Sequence, residues 1–244
     1  RENDFDGNNG DANPTWYYGV NTPNQDALNT QNAFHYGPGD VKYKDLNGDG
    51  VVDYGAGTNL NHGDMKVIGN TTPRYIFGLR AGFTWKNIDF SAFLQGVGKR
   101  DYWGTGSLVI PAFTMNEAVY QNQVTNYWTP ERQDAYYPAP SNPGSNNHNG
   151  NWQCQTRYLL NMAYARLKNL TVGYTFPKSW VDKVHLTSVR LFVSGENLFT
   201  IDNLDITIDP EIQQNSVAGF TDAKSFGRTY PYFRTWSFGV QVKL

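Results

Sequence analysis

The chain has 244 residues, 15% of them aromatic and only 17% charged, with a formal net charge of −2. That balance supplies no basic patch for a nucleic-acid partner, and the single cysteine, Cys154, flanked by Gln153 and Gln155, permits no internal disulfide and has no metal-binding neighbours. No run of about 20 apolar residues occurs, which excludes membrane-spanning helices but not membrane-spanning strands.

The sequence opens at Arg1 without an initiator Met or a charged-then-apolar leader, and so reads as a mature product or a fragment. Residues 1–40 carry Asn, Asp, Gly and Pro at loop frequency, with a short strand expected at the aromatic knot Trp16, Tyr17 and Tyr18. The run Asp45-Leu46-Asn47-Gly48-Asp49-Gly50-Val51-Val52-Asp53 then places side-chain oxygens at positions 1, 3, 5 and 9 and glycine at position 6, as in the first half of an EF-hand calcium loop. Alternate side chains would turn in on a hard cation, with the Val51 carbonyl as a further ligand. Position 12 is Ala56 and supplies no acid, and Asp64, beyond the insertion Tyr54 to Gly63, is the candidate replacement. The competing reading is a tight Asx-rich turn that binds nothing.

From Tyr75 the pattern changes to a period of two. Tyr75, Phe77, Leu79, Ala81, Phe83 and Trp85 fall on one face, against Ile76, Gly78, Arg80, Gly82 and Thr84 on the other. After Lys86-Asn87, Ile88, Phe90, Ala92 and Leu94 alternate with Asp89, Ser91, Phe93 and Gln95, so the stretch reads as a long hairpin with a minimal turn. The segment Gly98 to Gln155 is too polar for a strand. A short helix is expected over Asn116 to Tyr127, capped by Asn116 and stopped before Pro130, within an otherwise open loop.

A descending strand begins near Tyr164 and alternates through Leu170, Val172, Tyr174 and Phe176. A connector from Pro177 to Leu186 leaves room for one helical turn, and an ascending strand follows through Val189, Leu191 and Val193, with Arg190, Phe192, Ser194 and Glu196 on its other face. Residues 200–231 read as another long loop. The last strand, Tyr232 to Leu244, sets Trp236, Phe238, Val240 and Val242 against Thr235, Ser237, Gly239, Gln241 and Lys243. It is about 13 residues long, well beyond the usual mode of roughly 5 to 6.

The fold class expected is therefore all-β, with five antiparallel strands alternating between an apolar and a polar face. Short connections alternate with long ones, as in transmembrane barrels, whose turns are periplasmic and whose long loops are external. Five strands cannot close such a barrel, which needs at least eight. The division expected is an external loop with the calcium-like motif at 1–74, a hairpin at 75–99, an external loop at 100–162, a strand pair at 163–199, an external loop at 200–231 and the last strand at 232–244.

Several stretches carry a family resemblance. Gly39-Asp40-Val41-Lys42-Tyr43-Lys44-Asp45 running on to Asp53, Ile68-Gly69-Asn70, Tyr127-Trp128-Thr129-Pro130-Glu131, Arg166-Leu167-Lys168-Asn169-Leu170, Gly195-Glu196-Asn197-Leu198-Phe199, Asp209-Pro210-Glu211 and Arg234-Thr235-Trp236 occur in that order. Together they resemble the C-terminal part of SusC/RagA-type TonB-dependent transporters of Bacteroidetes. The resemblance implies a 22-stranded outer-membrane barrel whose N-terminal plug is absent from this chain. It also implies a SusD-like lipoprotein lid and TonB acting through the plug, while the strand parity, down, up, down, up, down from the Lys86-Asn87 turn, leaves the C-terminus in the periplasm. The cargo class, glycan or oligopeptide, stays open, as does the insertion before Asp64, which departs from the family pattern.

Catalysis finds no support. His35, His62, His148 and His185 are scattered, and no nucleophile elbow, zinc-protease or phosphate-loop motif occurs. Arg80, Arg190 and Glu196 on the polar face fit a wet lumen. Tyr102, Trp103, Tyr127, Trp128 and Trp152 in the long loops are the candidate contacts for cargo or lid, since flat aromatic faces offer apolar area at low entropic cost. The alternative from another class is a secreted calcium-dependent β-sandwich, an adhesin or glycan-binding module.

Overall fold

In the computed structural model the residues described are 1–11, 14–28, 36–104, 106–113, 118–141, 150–206, 208–211 and 230–244. They form two compact units, one drawn chiefly from Arg1–Ile68 and Gly104–Tyr158, the other from Gly69–Trp103, Leu159–Thr221 and Gly227–Leu244.

In the first unit, β1 (Phe5–Asn8) pairs antiparallel with β2 (Trp16–Tyr18), the strand expected at the aromatic knot. The Phe5 ring sits 5.8 Å from Trp16 and 5.6 Å from Tyr18. The rest is held by backbone pairs such as Val52 N–H to the Asn24 carbonyl and Trp128 N–H to the Tyr137 carbonyl, together with side chains. Segment 41–43 has no strand partner, so two buried amides supply its hydrogen bonds. Gln25 donates to the Val41 carbonyl and accepts from the Tyr43 N–H, while Asn151 accepts from the Val41 N–H and donates to Asp40. The hydroxyls of Tyr36 and Tyr43 both donate to the Gly150 carbonyl. Helix α1 (Gln121–Thr125) starts later than its sequence suggests. Asn116, the expected cap, lies outside the described residues. The Tyr120 N–H is instead capped by Gln123 Oε1, whose Nε2 donates to the Ser107 carbonyl.

The second unit is an antiparallel meander. Strands β3 (Ile76–Trp85) and β4 (Ile88–Val97) form the expected hairpin, turning at Lys86, which takes φ +54°. A ribbon of β5 (Asp101–Trp103) with β6 (Leu159–Asn161) follows, in stretches expected to be loop. Then come β7 (Tyr164–Thr175), a connector holding α2 (Lys178–Val181), β8 (Ser188–Glu196), the short β9 (Thr200–Asp202) and β10 (Thr235–Lys243). The sheet order is β10-β8-β7-β4-β3, and β9 pairs with the start of β7. The five long strands hold 9 to 12 residues each, close to the roughly 9 to 11 that cross a bilayer at a tilt.

Directly opposed residues share a face. Register therefore assembles one apolar face from Phe77, Leu79, Phe83 and Trp85, then Ile88, Phe90, Leu170, Val172, Tyr174, Leu191, Val193, Phe238, Val240 and Val242. This face is uncovered: Phe238 is 79% exposed and Val240 61%. A β-sandwich would bury it under a second sheet, whereas the lipid-facing wall of a barrel leaves it bare. Exposed Trp85 and Tyr174 share a row at the end of the sheet nearest the Lys86 turn, through Ile88, the kind of aromatic placement found in barrel girdles.

The period of two breaks once. Phe93 opposes Asn169 but Leu94 opposes Leu167, so Lys168 is an extra residue in β7. Without this bulge, Tyr164, Arg166 and Lys168 would continue the row of Leu170 and Val172 on the apolar face. With it, Leu167 and Ala165 take that row, and Arg166 and Tyr164 join Gln95 and Val97 on the polar face. The last strand also begins at Thr235 rather than Tyr232, because the Tyr232 N–H is committed to Asp209 Oδ2 at 3.1 Å and its ring to Arg166 and Lys168.

Candidate functional site

The polar face of the sheet carries an ordered set of charges. The Arg190 guanidinium makes two hydrogen bonds to Asp89, at 2.8 and 2.5 Å, and reaches Gln241 Oε1 at 3.1 Å. It crosses directly over Gly173, where a Cβ would meet both Asp89 and Arg190, so glycine is required there. Phe192 lies over Gly239 and under Arg190, and Phe93 lies over Gly78 and under Arg80. Arg80 and Arg190 thus hold down aromatic rings, while Glu196 ends β8 opposite Asn169 and Thr235.

At one end of this face the bulge aims Arg166 into a buried cluster that sequence reasoning missed. Arg166 bonds Asp209 at 2.7 Å, Glu211 at 2.5 Å and Thr200 Oγ1 at 2.7 Å, and its side chain is only 5% exposed. Lys168 bonds Glu211 at 2.6 Å, and the Tyr164 hydroxyl donates to the same carboxylate. The Tyr232 ring faces both cations, 5.4 Å from Arg166 and 4.6 Å from Lys168. Burial alone would raise the Asp209 carboxyl, but the Arg166 guanidinium and the N–H groups of Glu211 and Tyr232 outweigh it and hold it below the usual range. The two cations and two carboxylates balance, so the cluster meets the condition for buried charge. One signal was present in the sequence: strict alternation put Arg166 and Lys168 on the apolar row, which is untenable against lipid.

In the Asp45 loop, the Asp45 carboxylate accepts the N–H groups of Gly48 and Gly50, Asn47 accepts that of Asp49, and Asp49 that of Val51. The Gly50 and Gly48 amides pull the Asp45 carboxyl below its usual range. Asp64 does return across the insertion. Its two oxygens accept from Leu46 at 2.5 Å and Asp53 at 2.9 Å. The insertion closes on itself through Gly55 and Gly63, both at positive φ and too near each other for a Cβ on either. The donors are all oxygen, the set a hard cation such as calcium prefers. Among the described residues no three His, Cys, Asp or Glu side chains are grouped to hold a metal.

The aromatic candidates divide. Tyr102 and Trp103 lie half-buried in β5, opposite Leu160 and Leu159. In the first unit, Trp128 packs into the space left by Gly39, where a Cβ would come within 2.7 Å of its ring. Tyr127 and Trp152 line one apolar cavity of about 240 Å³, with Tyr137, Val119 and Val124. Trp152 also packs against Tyr158, with ring centroids 4.6 Å apart and the planes tilted by 43°.

No family model matches the chain. It is 28% identical over 209 residues to TonB-dependent receptor P3 of Formosa agariphila, covering 84% of this chain and 19% of that protein. TonB-dependent receptor P26 of the same organism is 27% identical over 210 residues, with the same coverage. The chain resembles a segment of these TonB-dependent receptors. It spans 19% of the length of these curated relatives. Its fold matches a chain in the structure of the RagAB peptide transporter, with a TM-score of 0.53 at 18% identity over 74% of this chain and 18% of that one. It also matches the RagAB peptide importer in its closed-closed state, with a TM-score of 0.52 at 18% identity over 73% and 18%. The fold of the chain is thus shared with these transporter chains, and the curated relatives are receptors rather than enzymes.

Proposed function

We propose that this segment is wall and loop of an outer-membrane, TonB-dependent importer of a bulky nutrient, a glycan or an oligopeptide, working in a SusCD-like complex. The reading rests on one observation: a five-stranded meander of bilayer length with a bare apolar face and a charged, glycine-spaced opposite face, in a chain related to TonB-dependent receptors. The apolar face meets lipid and the polar face meets lumen and plug. The loops that hold the Asp45 motif, the Tyr127 cavity and Asp209 are external, with β10 ending at the periplasm. The full-length receptor should be heat-modifiable on gels, fractionate with the outer membrane, co-purify with a lipoprotein and lose uptake when TonB is depleted. Recovery in the aqueous phase as a monomer that ignores heating would overturn the reading.

Calcium belongs to the same proposal as a structural ion. Asp45, Asn47, Asp49, Asp53 and Asp64, with the Val51 carbonyl, are the residues that would hold it. Bound there, it would neutralise the exposed carboxylates and fix the loop. Asp49 would exchange its contact with Asn47 for the ion. Calorimetric titration of the receptor should give a site of about 0.1 to 1 mM, as in external modules, lost in Asp45→Ala. No heat in wild type would leave the Asx turn as the whole function. Tyr127 and Trp152 are the aromatic contacts best disposed toward cargo or lid, and alanine at both should weaken uptake or lid association.

A further inference from the structure

We propose that the turn end of the apolar face holds one anionic phospholipid, with an acyl chain in a groove between two rows of side chains and the headgroup phosphate on lysines at the groove's end. This site presupposes that the sheet is barrel wall, as proposed above, and adds to it a particular lipid. The groove has a volume of about 530 Å³, within the range of ligand clefts. One bank is the row Tyr174, Leu191 and Val240, and the other the row Val172, Val193 and Phe238. The row between them, Gly173, Phe192 and Gly239, forms the floor, because the glycines carry no side chain and Phe192 turns to the opposite face, over Gly239. Side chains two residues apart on a strand stand about 7 Å apart, so a single hydrocarbon chain can settle between the banks against the backbone.

The charge lies at the end of that groove. Ile88 continues the row of Tyr174 to Trp85, and the exposed Lys86 holds its ammonium 4.8 Å over the Trp85 ring. The Thr175 N–H donates to the Asn87 carbonyl, so the connector 176–187 emerges beside the Lys86 turn. It carries Lys178 and Lys183 against one carboxylate, Asp182, and all three are exposed. From the groove to this connector the rings of Tyr174, Phe176 and Trp180 follow one another at 5.3 and 6.1 Å. Aromatic rings and lysines at the end of an apolar wall mark headgroup depth, and uncompensated cations there attract anionic lipid. The far end of the sheet differs, since Arg166 and Lys168 are matched by Asp209 and Glu211. At the turn end Asp89, on the polar face, is already committed to Arg190. A soluble anion would use the lysines and leave the groove empty, and a zwitterionic lipid would do the reverse. The ligand that uses both is a diacyl lipid with a net negative headgroup.

Native mass spectrometry of the full-length receptor in mild detergent, titrated with dioleoyl phosphatidylglycerol or dioleoyl phosphatidylcholine, tests this. The first phosphatidylglycerol should bind about tenfold or more tightly than phosphatidylcholine. Lys86→Gln, Lys178→Gln and Lys183→Gln together should abolish that preference. If the triple variant fails to insert, Lys86→Gln alone carries the test, with an expected loss of about fivefold. Val193→Trp, which fills the groove and keeps the face apolar, should also weaken the first phosphatidylglycerol by about fivefold or more. Excess glycerol phosphate should displace nothing. Equal binding of the two lipids by a heat-modifiable wild type would overturn the site and leave the barrel reading in place, as would a preference that survives loss of the lysines. Displacement by glycerol phosphate, or indifference to Val193→Trp, would reveal a headgroup contact without a seated chain and overturn it equally. A receptor that is not heat-modifiable would bring down the barrel reading and the lipid site together.

Discussion

Two residues set sharp local conditions. Gly173 lies under the Asp89–Arg190 bridge with no room for a Cβ, so Gly173→Ala should displace the bridge and cost about 1 to 3 kcal/mol, read as a lower urea midpoint for loss of heat-modifiability. Asp40 is the second. Burial pushes its carboxyl up to about 6, against the opposing pull of Asn151 and the Gly37 N–H. The native state then holds the proton more tightly than the unfolded chain between the ordinary carboxylate range and about pH 6, so this group's contribution is present at low pH and lost as pH rises through 6. The first unit should gain on the order of 2 kcal/mol between pH 7 and pH 4 from this source, and Asp40→Asn should flatten that dependence in a pH series of melts. A profile unchanged by the substitution would assign the effect elsewhere.

At the scale of elements, the two faces of the sheet should tolerate charge unequally. Lysine at Val240 or Leu191 near the bilayer midplane should cost about 2 to 4 kcal/mol, and lysine at Gln241 or Ser91 far less, by equilibrium unfolding from detergent. The β7 bulge gives a stricter test. Deleting Lys168 restores strict alternation and turns Arg166 and Tyr164 to the lipid row, so the deletion should abolish insertion while Lys168→Ala keeps it. The hairpin, the strand pair and most of the face assignment were legible because apolar and polar residues alternate through β3, β4, β8 and the part of β7 from Leu170 onward, where register shows which rows met. The bulge was illegible because alternation is a local signal and a one-residue slip is fixed by the partner strand. The early end of β10 was hidden for a related reason: Tyr232 keeps the parity of the strand, but its N–H and ring are claimed by residues distant in sequence. The Asp45 motif announced its spacing but not that its carboxylates would accept backbone amides.

At the scale of the whole molecule, the meander ends on β3 on one side and β10 on the other, and among the described residues neither has a second neighbour. Each presents a row of N–H and C=O groups of full strand length, joined to a bare apolar face. In the closed wall those rows are satisfied by flanking strands. In water they are templates, and any two copies can add edge to edge and then stack face to face, the route to cross-β fibrils. Synthesised alone and diluted from denaturant into buffer, the segment should therefore bind amyloid dyes within hours, whereas dilution into detergent should suppress this by covering the apolar face. On the proposed reading a polypeptide that crosses an aqueous compartment on its way to the membrane meets the same hazard, and its strands would have to be kept extended and escorted until neighbours on both sides are within reach.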